Sequence, residues 1–418
     1  MTVRGVVRVP GDKSISHRAL ILGALAVGES HISGILQSAD VQSTAAVLRA
    51  LGVAIPDLSP SFSFFGRGLQ GLRAPGAPLD AGNSGTTVRL MSGVLAAHPF
   101  TSTFTGDSSL SRRPMKRISE PLIAMGARVE FARDDGLPMT IHGGRLAGIA
   151  WNTRAASAQT KSAILLAALS SGVQATVMES ARSRDHTERM LTSLGGSIKL
   201  GDNTVSISPV ETIAPLELAV PGDPSSAAYF VALALLGAQT EVKLPQVCIN
   251  PTRTGFIETL MGAAGRIEYL ERTAIAGDTV ATISARSSLL RDITVEPSQI
   301  PAMIDELPLL ACVAAAANIT LDVSGAAELR VKESDRIATV TGNLRSIGVN
   351  ATETADGFRV VGTRSSLRGS VVTHGDHRIA MAFGVLSALP GNDISIDDPD
   401  CVAVSYPAFW EDLKSMRE

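Results

Sequence analysis

The chain has 418 residues, 45% of them hydrophobic but only 4% aromatic, with a formal net charge of -3. That length suggests about two or three domains, with an interior of Ala, Val, Leu, Ile and Gly closely packed between helices and sheets rather than a bulky aromatic core. The small negative charge offers no global attraction for nucleic acid or an anionic membrane, so any basic site must be local.

The opening "MTVRGVVRVPGDKS" interrupts its apolar character with Arg4, Arg8, Asp12 and Lys13, which is not a secretion-signal core. No uninterrupted apolar run reaches the roughly 18 residues of a membrane span. The three cysteines, Cys248, Cys312 and Cys401, are scattered and form no C-x-x-C pair. A cytoplasmic, reduced setting is expected.

In chain order, one unit recurs six times. A helix-like run of small apolar residues, a short polar break and a β-branched strand make up "SISHRALILGALAVGESHISG", "SGTTVRLMSGVLAAHPFTSTFTG", "SAQTKSAILLAALSSGVQATVME", "SSAAYFVALALLGAQTEVKL", "DELPLLACVAAAANITLDVSG" and "DHRIAMAFGVLSALPGNDISID". The strands open near His31, Ser102, Ala175, Glu241, Ile319 and Ile394, about 70 residues apart, a period longer than those of common solenoids. Between them lies a second pattern, a helix end, a glycine and a strand: "LRALGVAI", "LIAMGARVE", "LTSLGGSIK", "LMGAAGRIE" and "LRSIGVNA". Glycine there permits the left-handed cap that ends a helix. The alternation predicts repeated α/β units with at least two helices each.

"GRGLQG", Gly66 to Gly71, satisfies the G-x-G-x-x-G spacing after the strand-like "SFSFF". A dinucleotide fingerprint must open a helix, but Pro75 and Pro78 follow, so a loop or hairpin is expected.

Five of the six repeated helices open on groups suited to a ligand: Lys13, Ser14 and Arg18; Asn83, Ser84 and Thr86; Ser157, Gln159 and Lys161; Asp305 and Glu306; Asp376, His377 and Arg378. The fourth opens on Asp223, Ser225 and Ser226, ordinary caps. Helix N-termini present unsatisfied N–H groups and partial positive charge toward an anion. Capping explains the hydroxyls and carboxylates. It does not explain Lys13, Arg18 and Arg378, which stand at the end where the dipole disfavours cations.

"GDSSLSRRPMKR" adds Arg112, Arg113, Lys116 and Arg117, and "ELRVKESDRIATV" interleaves Lys332 and Arg336 with Glu328, Glu333 and Asp335. A solvated basic face or internal ion pairs are the plain alternatives for these two segments. Lys13, Arg18, Arg113, Lys332, Arg336 and Arg378 show no obvious local role, and together they exceed what one phosphate needs. Among them stand Asp305 and Glu333, acids that cations and burial could tune for proton transfer. There is no H-E-x-x-H, no Cys/His cluster at zinc spacing and no nucleophile elbow.

"PGDKSISHRAL", "GNSGTTVRL", "SRRPM", "SAQTKSAIL", "RVKESDRI" and "GDHRIAMAF" resemble, in order and over nearly the whole chain, the motifs of the EPSP synthase (3-phosphoshikimate 1-carboxyvinyltransferase) family. "SAQTKS" and "RDHTERML" resemble its glyphosate-tolerant class. The resemblance implies an α/β fold, a two-domain inside-out α/β barrel of six βαβαββ repeats, three per domain, with helix N-termini directed at the cleft between them. One domain would be 13–221 and the other 1–12 joined to 222–418. It implies enolpyruvyl transfer from phosphoenolpyruvate to the 5-hydroxyl of shikimate 3-phosphate, by a monomer with no metal or organic cofactor and no nucleic-acid or membrane partner.

Carried over by position, the resemblance assigns Lys13 to both substrates, and Ser14, Arg18, Ser157, Ala158 and Lys332 to shikimate 3-phosphate, with Gln159 between the two ligands. It assigns Arg113, Arg336 and Arg378 to phosphoenolpyruvate, beside Asn83 and Gly85. Asp305 would accept the hydroxyl proton, and Glu333 with Lys13 would manage protonation of the methylene carbon. Two positions depart from the family pattern: Val404 where many members carry lysine, and Glu328 where Asn is frequent. The related transferase acting on UDP-N-acetylglucosamine uses a loop cysteine that "GDSSLSRRP" lacks. RNA 3'-phosphate cyclases would need a reactive histidine and a basic track. A noncatalytic anion-binding scaffold would bind both ligands without turnover.

Overall fold

The computed structural model describes residues 4–154, 156–238 and 240–416. The chain divides into two compact units, one of Gly11–Val220 with Ala274–Asp278, the other of Met1–Pro10, Pro221–Thr273 and Thr279–Glu418. They are called here the continuous and the split unit.

In the continuous unit, one full repeat runs strand Leu79–Asp80, helix Gly85–Ala96, strand Thr101–Thr105, helix Lys116–Ala124, and strands Arg128–Phe131 and Met139–His142. The first two strands pair in parallel, and the last inserts antiparallel between the second and third. The same order recurs around helices Ala158–Ser171 and His186–Ser193. The remaining sheet has three strands. Glu29–Ser33 pairs antiparallel with Ser61–Phe65 and parallel with Glu217–Ala219, so the end of this unit's chain supplies the first strand of its first repeat.

In the split unit the borrowing is reversed. Arg4–Val6 supplies the opening strand beside Glu241–Cys248, in a sheet completed by Asp278–Arg286 and Arg266–Ile275. A second full copy surrounds helices Leu307–Ala317 and Arg336–Ser346. The last copy is shortened to the parallel strands Arg368–Val371 and Asp393–Ile396 flanking helix His377–Ala388.

The first helix of each repeat is apolar on nearly every side, which is why it sits inside its unit instead of on a surface. Helices Pro224–Leu236, Leu307–Ala317 and His377–Ala388 touch one another in the split unit's core. Helices Gly85–Ala96 and Ala158–Ser171 pack closely because Gly93 leaves its face bare; a Cβ there would strike the Ala163 carbonyl. The sheets lie outside these helices, with strands such as Thr204–Ser208 alternating exposed and buried residues. Five of the few aromatic residues, Tyr229, Phe230, Tyr406, Phe409 and Trp410, pack together with ring centroids 4.9–6.4 Å apart.

Two local expectations are corrected. "LRALGVAI" ends its helix as expected, with Gly52 at φ 89°, but residues 53–55 form no strand. Pro56 and Pro60 remove ladder donors just beyond. In "LMGAAGRIE" the left-handed position after the helix falls on Ala264, φ 70°, one residue before the glycine. "GRGLQG" lies in a loop, as expected. Among the described residues no helix is long and apolar enough to cross a membrane.

Candidate active site

In the continuous unit the helix starts are capped from within. Asp12 accepts from the N–H of Ile15 at 2.8 Å, Ser84 from Thr87 at 3.3 Å and Ser157 from Thr160 at 3.3 Å. The capping hydroxyl of Ser157 is therefore also a candidate ligand group. Ala158 and Gln159 occupy the first two positions of that helix, where backbone N–H groups lack intrahelical acceptors. Lys13 pairs with Asp40, in the first turn of helix Ala39–Ala50.

Buried Arg18 is held by neutral oxygens, donating to Thr187 Oγ1 at 2.7 Å, Ser162 Oγ at 2.9 Å and the Ser14 carbonyl at 2.9 Å. His17 faces Thr44 Oγ1 at 2.7 Å, Thr44 faces Thr87 Oγ1 at 2.7 Å, and Thr87 donates to Ser84 Oγ at 2.8 Å. Since Thr87 spends its hydroxyl proton on Ser84, Thr44 donates to Thr87 and accepts from His17. His17 thus carries its proton on Nδ1. Burial, reinforced by Lys13 and Arg18, holds it well below its ordinary value, so it is neutral at pH 7.

Gly85 begins helix Gly85–Ala96 between two guanidiniums. A Cβ there would lie 3.0 Å from Arg89 Nη1 and 3.4 Å from Arg113 Nη1. Arg113 donates to Asn83 Oδ1 at 3.1 Å, and Asn83 donates in turn to Asp107 at 2.6 Å. Arg89 donates to Gln159 Oε1 at 2.8 Å, while Gln159 donates to Thr86 at 3.2 Å. The structure thereby gathers Asn83, Gly85, Arg113 and Gln159 around a short helix start. Arg89 is an addition, four residues after Gly85 on the same helical face.

The split unit brings together Asp305, Lys332, Glu333, Arg336 and Arg378. Asp305 lies 3.3 Å from Arg336, 3.7 Å from Arg378 and 3.8 Å from Lys332. Arg336, almost wholly buried, also meets Glu333 at 2.6 Å and Asp376 at 2.8 Å. Arg378 reaches Glu306 at 3.3 Å. Burial works against both guanidinium charges, but Asp376, Glu333 and Asp305 around Arg336, and Asp305 with Tyr229 and Glu306 around Arg378, hold both pKa values above the ordinary arginine value. Burial pulls the Lys332 ammonium down, against Asp305 and, more weakly, Glu333 and Glu328. Glu328 thus adds negative charge near Lys332. Among the described residues no His/Cys/Asp/Glu group is arranged to hold a metal.

The six cations with no obvious local role in the sequence each have a local partner in the structure. Lys13, Lys332, Arg336 and Arg378 meet carboxylates, while Arg18 and Arg113 meet neutral oxygens. The carboxylates Asp40, Glu306 and Asp376 are supplied by other helix starts, so the excess of cations was visible in sequence and their counter-ions were not. Asp223, expected as a plain cap, does cap Ser225 at 2.7 Å but also pairs with buried Arg253 at 2.9 Å. Arg330 meets Asp335 at 2.8 Å, so internal pairing does account for part of "ELRVKESDRIATV".

Each unit by itself gathers basic side chains at its helix starts. The family model for EPSP synthase (3-phosphoshikimate 1-carboxyvinyltransferase) matches residues 1–413. A 3-phosphoshikimate 1-carboxyvinyltransferase of Sulfurihydrogenibium sp. is 43% identical over all of this chain and 98% of its own length. The enzyme of that name from Aquifex aeolicus is 44% identical over all of this chain and 98% of its length. The solved structure of EPSP synthase from Acinetobacter baumannii superposes with a TM-score of 0.87 at 39% identity, covering 99% of this chain and 96% of the other. The chain belongs to the EPSP synthase family.

Proposed function

We propose that this chain transfers the enolpyruvyl group of phosphoenolpyruvate to the 5-hydroxyl of shikimate 3-phosphate and releases inorganic phosphate. One observation carries the reading: a single carboxylate, Asp305, stands 3.3–3.8 Å from three cations, and one of these, Arg336, also holds Glu333. Joining two anions needs cations against their repulsion, a base for the attacking hydroxyl and an acid for the methylene carbon.

In this reading Asp305 takes the 5-hydroxyl proton as that oxygen bonds to C2 of phosphoenolpyruvate. Glu333, with Lys13, delivers a proton to C3, giving a tetrahedral intermediate. Loss of phosphate from C2 and of a proton from C3 then restores the methylene group. Lys13, Ser14, Arg18, Ser157, Ala158, Gln159 and Lys332 hold shikimate 3-phosphate. Arg113, Arg336 and Arg378 hold phosphoenolpyruvate, with Asn83 and Gly85 beside it and Lys13 and Gln159 touching both ligands. Phosphate release that requires both substrates, with the enolpyruvyl product identified by mass, tests this. Binding of both without release would favour a noncatalytic scaffold.

Reduced sensitivity to glyphosate is part of the same proposal. "SAQTKS" and "RDHTERML" resemble the tolerant class, and they are physically joined through Lys161–Glu188 and Ser162–Thr187, each at 2.7 Å. Val404 closes the short turn Pro399–Val404 with no ammonium to offer an inhibitor's anionic group. Against this, Gly85 leaves entry open. The lost charge-assisted bond, worth roughly 1.5–3 kcal/mol, outweighs mere access.

A further inference from the structure

Beneath Arg18 the continuous unit buries a charge cluster that the mechanism above does not use. The Lys161 ammonium, on a residue 1% exposed, lies 2.7 Å from Glu179 Oε2 and 2.7 Å from Glu188 Oε1, and both glutamate side chains are nearly sealed from solvent. Lys161 also donates to the Ser183 carbonyl at 3.5 Å, and the Ser183 hydroxyl donates to Glu179. The cluster ties helix Ala158–Ser171 to the segment between strand Ala175–Met178 and helix His186–Ser193.

One residue beyond Lys161 is Ser162, and one before Glu188 is Thr187. Their hydroxyls lie 2.7 Å apart and receive Nη2 and Nε of Arg18. Ser and Thr side chains are short, so the two helix backbones decide where these acceptors stand. A buried ion cluster is a poor device for stability, since apolar replacements usually do as well, but it can fix one geometry.

We propose that Lys161, Glu179 and Glu188 are a positioning triad that orients the Arg18 guanidinium and thereby sets affinity for the phosphorylated acceptor substrate. The proposal rests on the assignment of Arg18 to shikimate 3-phosphate. Two carboxylates share one ammonium, and burial raises the Glu188 carboxyl above its ordinary value.

The test is steady-state kinetics with shikimate 3-phosphate and phosphoenolpyruvate varied separately, alongside thermal melts. Lys161→Met with Glu179→Gln and Glu188→Gln removes the three charges of the cluster together and leaves none of them unpaired, so it is expected to fold, and it raises the KM for shikimate 3-phosphate by roughly tenfold or more, with kcat and the phosphoenolpyruvate KM within about threefold. Unchanged acceptor KM in the triple variant overturns the triad, whatever its melting temperature. Equal losses in both KM values and kcat, or a triple variant that does not fold, mark a merely structural role and also overturn it. Wild type measured in parallel separates the two ideas: no wild-type turnover removes the assigned reaction and this proposal with it, whereas normal wild-type turnover isolates any failure to the triad.

Discussion

Arg336 donates from Nε and Nη2 to the two oxygens of Asp376, at 2.8 and 3.2 Å, with both residues buried. The same Asp376 caps helix His377–Ala388 by accepting from the N–H of Arg378 at 3.0 Å. One carboxylate thus aims two of the proposed phosphoenolpyruvate ligands. Asp376→Asn keeps the cap, since Asn caps as well as Asp, but leaves a buried guanidinium without its main counter-charge. The expected cost is roughly 3 kcal/mol, read by thermal or denaturant unfolding, together with a raised KM for phosphoenolpyruvate.

Gly85 offers a steric prediction. A methyl group there meets Arg89 and Arg113 at 3.0 and 3.4 Å, so Gly85→Ala must push guanidiniums by a few tenths of an ångström and shorten the space beside them. Glyphosate is longer than phosphoenolpyruvate. The inhibition constant should therefore rise more than the KM for phosphoenolpyruvate. Val404→Lys should act oppositely, tightening inhibition about tenfold or more. Tight wild-type inhibition unchanged by the lysine would remove the tolerance proposal while leaving the family assignment intact.

Lys332 bears on alkaline behaviour. Its ammonium is pulled down chiefly by burial, so it loses its charge at lower pH than an ordinary lysine. As pH rises through that lowered value, a charged ligand for shikimate 3-phosphate disappears and the KM for that substrate should climb. Lys332→Arg, which stays charged, should move the climb to higher pH. A profile identical to wild type would exclude Lys332 as the titrating group.

The helix starts and their surplus of cations were legible in the sequence because capping and charge patterns are local. So were Asp305 and Glu333, as acids embedded among those cations. What pairs with what was not legible: Lys13 meets Asp40, Lys161 meets Glu179 and Glu188, and Arg378 meets Glu306, contacts set by packing of separate elements. Arg89 has no such local signal, because an arginine inside "TTVRLM" reads as an ordinary helical residue until Gly85 and Gln159 stand beside it. The exchange of opening strands, Glu217–Ala219 in one unit and Arg4–Val6 in the other, has no local signal at all.

His17 predicts acid sensitivity. Its folded pKa lies well below the ordinary 6.5, so the folded state resists protonation that the unfolded chain accepts. The neutral form's contribution is intact above about 6.5 and is lost as pH falls below that toward the folded value. His98, also lowered by burial, adds loss of the same sign. His17→Asn retains an N–H donor for Thr44 without a titrating ring, and its stability should fall less steeply between pH 6.5 and 5 than that of wild type. Parallel slopes would contradict the account of His17.

The central claim is that Asp305 and Glu333 move the protons of an enolpyruvyl transfer. Asp305→Asn and Glu333→Gln keep size and hydrogen-bonding shape, so both should fold and still bind the two substrates. The direct measurement is phosphate release at saturating shikimate 3-phosphate and phosphoenolpyruvate for wild type and both variants. Turnover by wild type, with each variant slower by roughly 10²-fold or more, is the predicted result; wild-type rates in either variant would contradict that residue's role, and no release by any of the three would contradict the proposed reaction.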